Sequence, residues 1–375
     1  MSEPLRVGVV GLGAVAQAVH LPLLLRHPDR FKISALCELS PSTLTAIGER
    51  CGVPATSRFE TLDALLAAGG VEAVMILSSG PHASAASAAL RAGLAVFAEK
   101  PLAYTLGEID EIRAAAGGKE RLQLGYMKLY DPAFVRARQL ASEAPPPRSV
   151  EVTVLHPSSE SQLAHVGLLP TASDLAAPAI AQLGDRLRGL QQAALGSAAN
   201  EIGRMYTDVL LGSIVHDLAM VRAVVGDPTA IEFAQAWPAV DPPSSIEILG
   251  TLPGGAHLSI RWHYLARYPA YRETLAVHHE EGWIVLTFPS PYLLHAPTEL
   301  TLSAPDGRFE RVATLRSTVE AFEEQLLAFW RLARQGERPA AGIDAGRADI
   351  VTCQRIAARL AAVRGLTVGG EAASA

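Results

Sequence analysis

The stretch that decides the fold is Val7-Gly8-Val9-Val10-Gly11-Leu12-Gly13-Ala14-Val15-Ala16, in which a short apolar strand runs into a glycine turn and then a helix. Its pattern is G-x-G-x-x-A: Gly11 permits the tight turn, Gly13 lets the backbone approach a pyrophosphate, and Ala16 allows close packing of helix on strand. Amides at the start of such a helix hold phosphate groups. The stretch therefore predicts dinucleotide binding, and a glycine-rich turn without a ligand is the alternative. The residues predicted to contact the cofactor here are Gly11, Leu12, Gly13, Ala14 and Val15.

Length and composition indicate a two-domain globular protein with a small-molecule partner. A chain of 375 residues exceeds what one ordinary hydrophobic core holds. Its composition, 49% hydrophobic and 19% charged, is typical of soluble globular proteins. The formal net charge of −6 and the lack of a lysine or arginine block argue against nucleic acid and anionic membranes, because both need concentrated positive charge.

The sequence predicts neither a targeting segment nor a metal site. The apolar N-terminal stretch is interrupted by glycines, has no convincing cleavage site and carries the phosphate-turn pattern itself. No other stretch has an uninterrupted apolar run of transmembrane length, so we expect a cytoplasmic protein. The odd number and spacing of Cys37, Cys51 and Cys353 predict reduced structural thiols.

The first 125 residues alternate apolar strands with helical stretches. This alternation predicts an α/β fold with a doubly wound parallel sheet and right-handed crossovers, and we assign residues 1–125 to a dinucleotide-binding domain. Pro22 falls inside the first helical segment and predicts a kink or a shortened helix. The predicted strands are Leu5–Val10, Phe31–Cys37, Ala73–Leu77 and Ala95–Ala98.

Glu38 closes the second predicted strand, at about the distance from the glycine turn where dinucleotide-binding folds carry an acidic residue. Such a residue accepts hydrogen bonds from the hydroxyls of the adenosine ribose. Leu39 and Ser40 follow, and neither supplies the positive charge that a 2′-phosphate requires. The local pattern favours NAD over NADP, and a strand-end glutamate that merely faces solvent is the alternative.

Two more turns follow predicted strands at the same carboxyl edge of the sheet. The first contains His82 and lies near the nicotinamide half of a bound cofactor, although a lone histidine is more often packed or capping than catalytic. The second places the ammonium group of Lys100 at the rim of the crevice, where the reactive ring would lie. The residues predicted to contact the cofactor in these turns are Ser78, Ser79, His82, Glu99, Lys100 and Pro101.

These features, with Ala92-Gly93 and the run Gly125-Tyr126-Met127-Lys128-Leu129-Tyr130-Asp131-Pro132, resemble the Gfo/Idh/MocA oxidoreductase family over nearly the whole chain. The resemblance implies an N-terminal Rossmann domain and a C-terminal α/β domain. The open, mainly antiparallel sheet of that second domain carries the substrate site and often the oligomer contact. The resemblance also implies that Lys100 is the active-site lysine and that Lys128 stands where many members have arginine. Ser78-Ser79 departs from the family's usual Pro-Asn.

Residues 126–368 are predicted to form the substrate-binding and oligomerisation domain. Alternating strands separated by glycine turns predict its antiparallel sheet. We expect helices over Leu175–Leu195, Thr318–Arg334 and Asp344–Val363, the last packing back on the first domain, and a disordered tail over residues 369–375. The predicted strands are Ser149–Leu155, Thr229–Trp237, Ser245–Leu252, Ala256–Tyr264, Tyr271–His278 and Gly282–Phe288.

His216 lies on a helix that we predict from Tyr206 to about Val225, where Gly226 stops it. By the resemblance it matches the histidine that faces the nicotinamide in the family. Many members place an aspartate one helical turn earlier, but this chain has Gly212 there. A histidine packed in the core is the alternative.

Polar and aromatic residues of the second domain are candidates for contact with a polyhydroxylated ligand. The densest cluster runs from Trp262 to Arg272, and a subunit interface would use the same residue types. The stretch from His156 to Asn200 has no assignable chemistry: it fits a lid over the substrate and an ordinary surface excursion equally well. The candidate substrate residues are Lys128, Tyr130, His156, His263 and Arg267.

Together these features predict a reversible NAD-dependent dehydrogenase or reductase. Lys100 supplies charge and can pass a proton, and His216 is the acid/base because its unperturbed pKa is near neutrality. The substrate class, a ring hydroxyl or ketone of a sugar, sugar derivative or cyclitol, follows from the resemblance alone. Two alternatives remain open: an NADP-dependent sugar-nucleotide ketoreductase, and a non-catalytic NAD(P)-binding sensor of the same fold. We expect a homodimer or homotetramer.

Overall fold

The computed structural model describes residues 3–170, 172–238 and 244–375. The chain divides into two compact units that are each built from several segments. The first unit contains residues 1–126, 166–190 and 325–347, and the second contains residues 127–165, 191–324 and 348–375. We predicted one change of domain, near residue 125, and we did not predict the two later segments of the first unit.

The first unit contains a six-stranded parallel sheet in the order β3-β2-β1-β4-β5-β6. The strand order reverses between β1 and β4, which creates the crevice where ligands of doubly wound sheets bind. The predicted Rossmann fold is therefore confirmed. Its strands are β1 (Leu5–Val10), β2 (Phe31–Cys37), β3 (Arg58–Phe59), β4 (Ala73–Ile76), β5 (Ala95–Ala98) and β6 (Leu122–Leu124).

Helices connect these strands. A π-helical turn over Ala16–His20 runs directly into the first of them, and Pro22 follows that turn. The missing N–H of Pro22 therefore falls inside a continuous helical segment and interrupts its hydrogen bonding. The side chains of Ser40, Thr61 and Thr105 cap the second, third and fifth helices. The helices are α1 (Leu21–Arg26), α2 (Pro41–Arg50), α3 (Leu62–Ala68), α4 (Ala83–Arg91) and α5 (Leu106–Ala116).

The segment 325–347 completes the first unit beside β5 and β6. The ring of Phe329 packs edge-on against Phe97 of β5, with ring centroids 5.7 Å apart. Gln123 Nε2 in β6 donates to the carbonyl oxygen of Gln325 at 2.8 Å, and the amide of Leu124 donates to the carbonyl oxygen of Ala341 at 2.9 Å. Most of this segment precedes the last long helix, so only the first residues of that helix belong to the first unit.

The second unit contains an eight-stranded sheet in the order β14-β13-β12-β11-β7-β10-β9-β8. Only β7 and β10 pair in parallel, so the prediction of a mainly antiparallel sheet is confirmed. The last two strands were not predicted, although an Asp306-Gly307 turn signals their hairpin. The strands are β7 (Ser149–His156), β8 (Ala230–Trp237), β9 (Ser245–Thr251), β10 (His257–Tyr264), β11 (Arg272–His279), β12 (Gly282–Phe288), β13 (Glu299–Asp306) and β14 (Phe309–Arg316).

The single helix predicted from Tyr206 to Val225 is interrupted. A π-helical stretch covers Met205–Ile214, and an α-helix begins at Val215. Such stretches are frequent at functional sites. The remaining helices of the chain are α6 (Pro132–Glu143), α7 (Ser159–Leu163), α8 (Ala177–Leu195), α9 (Ala199–Arg204), α10 (Val215–Val224), α11 (Ala321–Gln335) and α12 (Ile343–Val363).

The predicted disordered tail is wrong. Gly370–Ser374 forms a short 3-10 helix within the second unit, and Ala372 is buried. The amide of Gly369 donates to the carbonyl oxygen of Leu195 at 2.8 Å, and Gln354 Nε2 donates to Glu371 Oε2 at 2.9 Å. The tail therefore has the backbone and side-chain partners that terminal residues usually lack.

Among the residues that the structure describes, no helix is both long and apolar enough to cross a membrane. The same residues contain no group of three or more metal-ligating side chains arranged to hold an ion. The three cysteines are free thiols, and burial, followed by the neighbouring charge of Glu38, raises the pKa of Cys37 to about 12.

Candidate active site

The glycine turn after β1 lies directly against the turn after β4. Gly11 has a φ of +85°, and a Cβ added to it would lie 2.4 Å from the backbone nitrogen of Ser78. Only glycine fits this position, because the neighbouring atom is backbone and cannot rotate away. The two turns thus meet at the point where the strand order reverses.

Gly13 has the opposite surroundings. No atom of the described residues lies within 4 Å of the position that its Cβ would take. Gly13 and Ala14 are exposed, Val15 is half-buried, and the chain is helical from residue 14 onward. The turn therefore leaves an open approach to the first amides of a helix, which is what a pyrophosphate requires. These residues fit a bound dinucleotide.

Glu38 lies beside this turn. Its Oε2 accepts a hydrogen bond from the amide of Leu12 at 2.8 Å, and its Oε1 accepts one from the amide of Ser40 at 3.2 Å. The side chain is half-buried, and each carboxylate oxygen keeps a lone pair for a further donor. The backbone thus fixes Glu38 at the end of β2, ready to accept from ribose hydroxyls.

His82, which we predicted to contact the cofactor, is buried against backbone carbonyl groups. It is 1% exposed, its Nδ1 lies 2.7 Å from the carbonyl oxygen of Pro101, and its Nε2 lies 2.7 Å from the carbonyl oxygen of Ser78. Both ring nitrogens are therefore engaged by backbone. Burial lowers the pKa of His82, against the opposing effect of the two carbonyls. His82 ties the turn after β4 to the turn after β5.

The side chain of Glu99 holds the backbone at Lys100. Glu99 is buried, its Oε1 lies 2.9 Å from His20 Nε2, and its Oε2 accepts from the amide of Lys100 at 3.3 Å. Burial opposes ionisation of Glu99. The hydrogen bond with His20 and the charges of His20 and Lys100 outweigh that effect and hold the pKa of Glu99 below its usual range. The lysine that follows is half-buried at the carboxyl edge of the sheet, and the buried Pro101 comes next.

The second unit has a buried cluster of charges that was not predicted. Glu273 on β11 is completely buried, and its Oε2 accepts hydrogen bonds from both Lys128 Nζ and the hydroxyl of Tyr271. Lys128 also lies over the ring of Phe288, 5.5 Å from its centroid. Burial, and then the charge of Glu273, raises the pKa of Tyr271 well above its usual range, so Tyr271 remains a donor. The ammonium group of Lys128 is thus hydrogen-bonded to Glu273 within the second unit.

Asp217 is the second carboxyl group of this cluster. It lies on α10, is 1% exposed, and shares a hydrogen bond with Glu273. Burial, followed by the charge of Glu273, raises the pKa of Asp217 well above its usual value, although Lys128 acts in the opposite direction. Burial beside Glu273 thus favours the protonated form of Asp217, although Lys128 opposes it.

His216 precedes Asp217 at the start of α10 and is half-buried. The helix is anchored to the sheet nearby, because Trp262 Nε1 on β10 donates to Ser213 Oγ at 2.9 Å. A Cβ at Gly212 would lie 3.2 Å from the carbonyl oxygen of Thr207, which is a tight contact. A side chain at this position therefore requires the neighbouring backbone to shift by a few tenths of an ångström.

The predicted substrate residues are split between the two faces of the sheet. The ring of His156 lies 5.2 Å from Trp262 and 5.7 Å from Tyr271, on the face that also carries Glu273. His263 points to the opposite face because it neighbours Trp262 along β10, and its ring lies 5.7 Å from Trp237.

The remaining two predicted substrate residues lie outside these faces. Arg267 is exposed in the loop after β10, and Tyr130 is half-buried at the end of a 3-10 turn. His156 and His263 therefore lie on opposite faces of the sheet, and the assignment of substrate residues stays a prediction. Because neighbouring residues of a strand point to opposite faces, the strand period of two predicts that His263 and Trp262 lie on different faces.

Residues 5–126 match the family model described as "Oxidoreductase family, NAD-binding Rossmann fold", Gfo/Idh/MocA. The match makes this segment similar to the NAD-binding domain of the Gfo/Idh/MocA family. An inositol 2-dehydrogenase/D-chiro-inositol 3-dehydrogenase from Shouchella clausii is 32% identical over 159 residues, which cover 42% of this chain and 45% of that relative. The chain thus matches less than half the length of this curated relative.

Solved structures share the fold over nearly the entire chain. An aldose-aldose oxidoreductase from Caulobacter crescentus has a TM-score of 0.70 at 19% identity, covering 96% of this chain and 98% of that one. A 3-ketoreductase from Actinomadura kijaniata has a TM-score of 0.68 at 18% identity, covering 94% and 96%. At these identities the likeness shows the fold alone.

Proposed function

We propose that this chain is a member of the Gfo/Idh/MocA family and an NAD-dependent dehydrogenase or reductase that acts on a ring hydroxyl or ketone of a sugar, sugar derivative or cyclitol. The observation that carries the proposal is the carboxyl edge of the first unit. There the open turn at Gly13, the fixed carboxylate of Glu38 and the ammonium group of Lys100 follow β1, β2 and β5. The inositol dehydrogenase relative supports the substrate class.

Glu38 favours NAD over NADP. Its two oxygens accept from the Leu12 and Ser40 amides and retain capacity for the ribose hydroxyls. A 2′-phosphate at the same place would meet a carboxylate, and like charges this close are repelled. The first unit therefore selects NAD over NADP without any contact to the substrate.

Lys100 and His216 carry the proton and charge chemistry in this proposal. NAD, when bound, accepts the hydride in the oxidative direction and NADH returns it in the reverse. Lys100 stabilises the developing alkoxide, because a fixed positive charge at that oxygen acts more strongly on the transition state than on the bound alcohol. His216 takes or returns the hydroxyl proton, since its unperturbed pKa lies near neutrality.

The test is calorimetric titration with NAD and NADP, followed by a turnover screen with both cofactors. The screen contains cyclitols, aldoses and nucleotide sugars, so that the ketoreductase alternative is tested in the same experiment. We expect tighter binding of NAD than of NADP and reduction of NAD with at least one cyclitol or sugar. If the protein binds NAD and turns over nothing, the sensor alternative replaces this proposal.

We also propose that the protein acts in the cytoplasm as a homodimer or homotetramer formed through the sheet of the second unit. Phe309 is 79% exposed on β14, and Val312 and Leu315 on the same strand are also exposed. An exposed apolar strand at a sheet edge is stabilised when a second subunit covers it. Light scattering at micromolar concentration measures the mass, and a strictly monomeric species would contradict this assembly.

A further inference from the structure

The segment 166–190, which we call the strap, lies along the dinucleotide edge of the first unit. Apart from residue 171, which lies outside the described residues, its contacts follow the edge in order. The amide of Leu169 donates to Gln17 Oε1 at 2.9 Å, just after the glycine turn, and Gln17 Nε2 in turn donates to the carbonyl oxygen of Leu12 at 2.7 Å. Farther along, Arg186 Nη2 donates to Ser84 Oγ at 2.9 Å at the start of α4. The strap therefore reaches from the turn after β1 to the turn after β4.

Between these contacts the strap places Asp174 on the loop after β2. Asp174 Oδ1 accepts from Ser40 Oγ at 2.6 Å, and Oδ2 accepts from the amide of Ser42 at 2.8 Å. These hydrogen bonds, with that of Ser40 the strongest, lower the pKa of Asp174 to about 2. The strap thus holds a full negative charge against this loop at neutral pH.

Ser40 connects Asp174 to the ribose-binding residue. The amide of Ser40 donates to Glu38 Oε1 at 3.2 Å while its hydroxyl donates to Asp174. Glu38 marks the place of the adenosine ribose hydroxyls, and NADP differs from NAD only by a phosphate on one of them. A serine hydroxyl, a free amide and a helix start are the donors that such a phosphate binds. Asp174 already uses the hydroxyl and the amide.

Helix α2 does not require Asp174 for capping. Ser40 is itself the N-cap residue, and its Oγ accepts from the amide of Thr43 at 3.1 Å. The Asp174 carboxylate is therefore an additional anion at a helix start that is already capped. Since Ser40 connects Asp174 to Glu38, this additional charge acts on ligand binding and is not needed for the helix start.

We propose that Asp174 is a cofactor-specificity residue: its carboxylate holds the position that the 2′-phosphate of NADP would take, so that the strap admits NAD and excludes NADP. The inference rests on the proposed dinucleotide site. Two carboxylates, Glu38 and Asp174, then flank the ribose, and Asp174 also withholds the Ser40 and Ser42 donors from a phosphate.

The test compares Asp174→Asn with Asp185→Asn. Asp185 lies on the same strap, is exposed, and forms an ion pair with Arg188, three residues further along the chain. Its substitution therefore removes the same charge at a position away from Ser40. Calorimetry gives the dissociation constants of NAD and NADP for both variants and for the wild type. We expect Asp174→Asn to tighten NADP at least about tenfold while changing NAD less than about threefold, since specificity of this kind depends on the repulsive element. Asp185→Asn leaves both constants unchanged.

Tryptic cleavage at Arg186 and Arg188 provides a readout independent of affinity. We expect NAD to slow cleavage of the strap in the wild type, and NADP to slow it only in Asp174→Asn. An unchanged NADP-to-NAD ratio in Asp174→Asn, or an equal change in Asp185→Asn, overturns the inference and leaves the NAD site intact. A wild type that binds neither cofactor instead overturns the proposed function and this inference with it.

Discussion

The dinucleotide edge of the first unit consists mainly of backbone groups, whereas the charged cluster of the second unit consists of side chains. The edge is formed mainly by backbone: the turn at Gly11, the open approach at Gly13 and the amides that hold Glu38. The cluster is formed by side chains, with Lys128 and Tyr271 both bound to one oxygen of Glu273. A site made of backbone depends on which side chains are absent, whereas a site made of side chains depends on every partner that is present.

The same difference appears in burial. The Gly13 turn is exposed and free to meet a ligand, whereas Glu273 and Asp217 are removed from water. Buried charges need each other, because removing one partner leaves an uncompensated charge in a poorly polarisable interior. We therefore expect the edge to respond to substitutions through ligand affinity and the cluster to respond through stability and its pH dependence.

The largest effect that sharpens this contrast concerns the two glycines of the edge. Gly13→Ala places a methyl group in open space and has no positive φ to strain, so its free energy of unfolding stays within about 0.5 kcal/mol of the wild type. That methyl group stands where the pyrophosphate approaches, and we expect NAD affinity to fall about 10- to 100-fold, or roughly 1.4–2.8 kcal/mol.

Gly11→Ala is the matched variant, because its methyl group meets the backbone of Ser78 and its φ is positive. It should lose NAD affinity and also about 1–3 kcal/mol of stability. Urea unfolding and calorimetry on both variants separate the two cases. Wild-type NAD affinity in Gly13→Ala would show that no phosphate approaches this turn.

A smaller, pH-dependent effect is expected in the cluster. Asp217 has a raised pKa in the folded protein, chiefly through burial, so it stays protonated at pH values where the unfolded chain has already lost the proton. Above the unfolded value of about 4, the free energy of unfolding therefore falls by about 1.4 kcal/mol per pH unit on account of this group, until the folded pKa is reached.

Asp217→Asn removes that dependence but keeps an N–H donor toward Glu273. Urea unfolding of the variant and the wild type at pH 5, 6 and 7 measures the difference between them. We expect the variant to gain stability relative to the wild type with each unit of rising pH. A difference that does not change across this range would mean that Asp217 is ionised in the folded protein.

Much of the first unit could be predicted because its determinants are close together in sequence. The strand Leu5–Val10 and the turn that follows are one continuous stretch, and Glu38 and Lys100 each end a strand of the same parallel sheet. Parallel strands bring their carboxyl ends to one edge, so local motifs predict a shared site. The surroundings of His82 could not be predicted, because its sequence position does not reveal that two backbone carbonyl oxygens lie against its ring nitrogens.

The second unit was harder to predict because its contacts are distant in sequence. Lys128 and Glu273 are 145 positions apart, and only the tertiary fold brings the 3-10 turn that contains Lys128 against β11. A signal was present, since Glu273 shares its strand face with Leu275 and Val277 and thus occupies a buried position. The π-helical stretch before His216 and the contact of Asp174 with Ser40 depend on packing, which local sequence does not encode.

We propose that the backbone edge binds the cofactor while Lys100 acts on the reacting oxygen. Turnover and NAD affinity of Lys100→Ala, measured on the same preparation with the best substrate of the screen, test it most directly. We predict a loss of turnover of about 10³-fold or more with an NAD dissociation constant within about threefold of the wild type. His216→Ala serves as the comparison, with a loss on the order of 10²-fold. Wild-type turnover in Lys100→Ala, or a parallel loss of NAD binding and turnover, would contradict this division of roles between the backbone edge and Lys100.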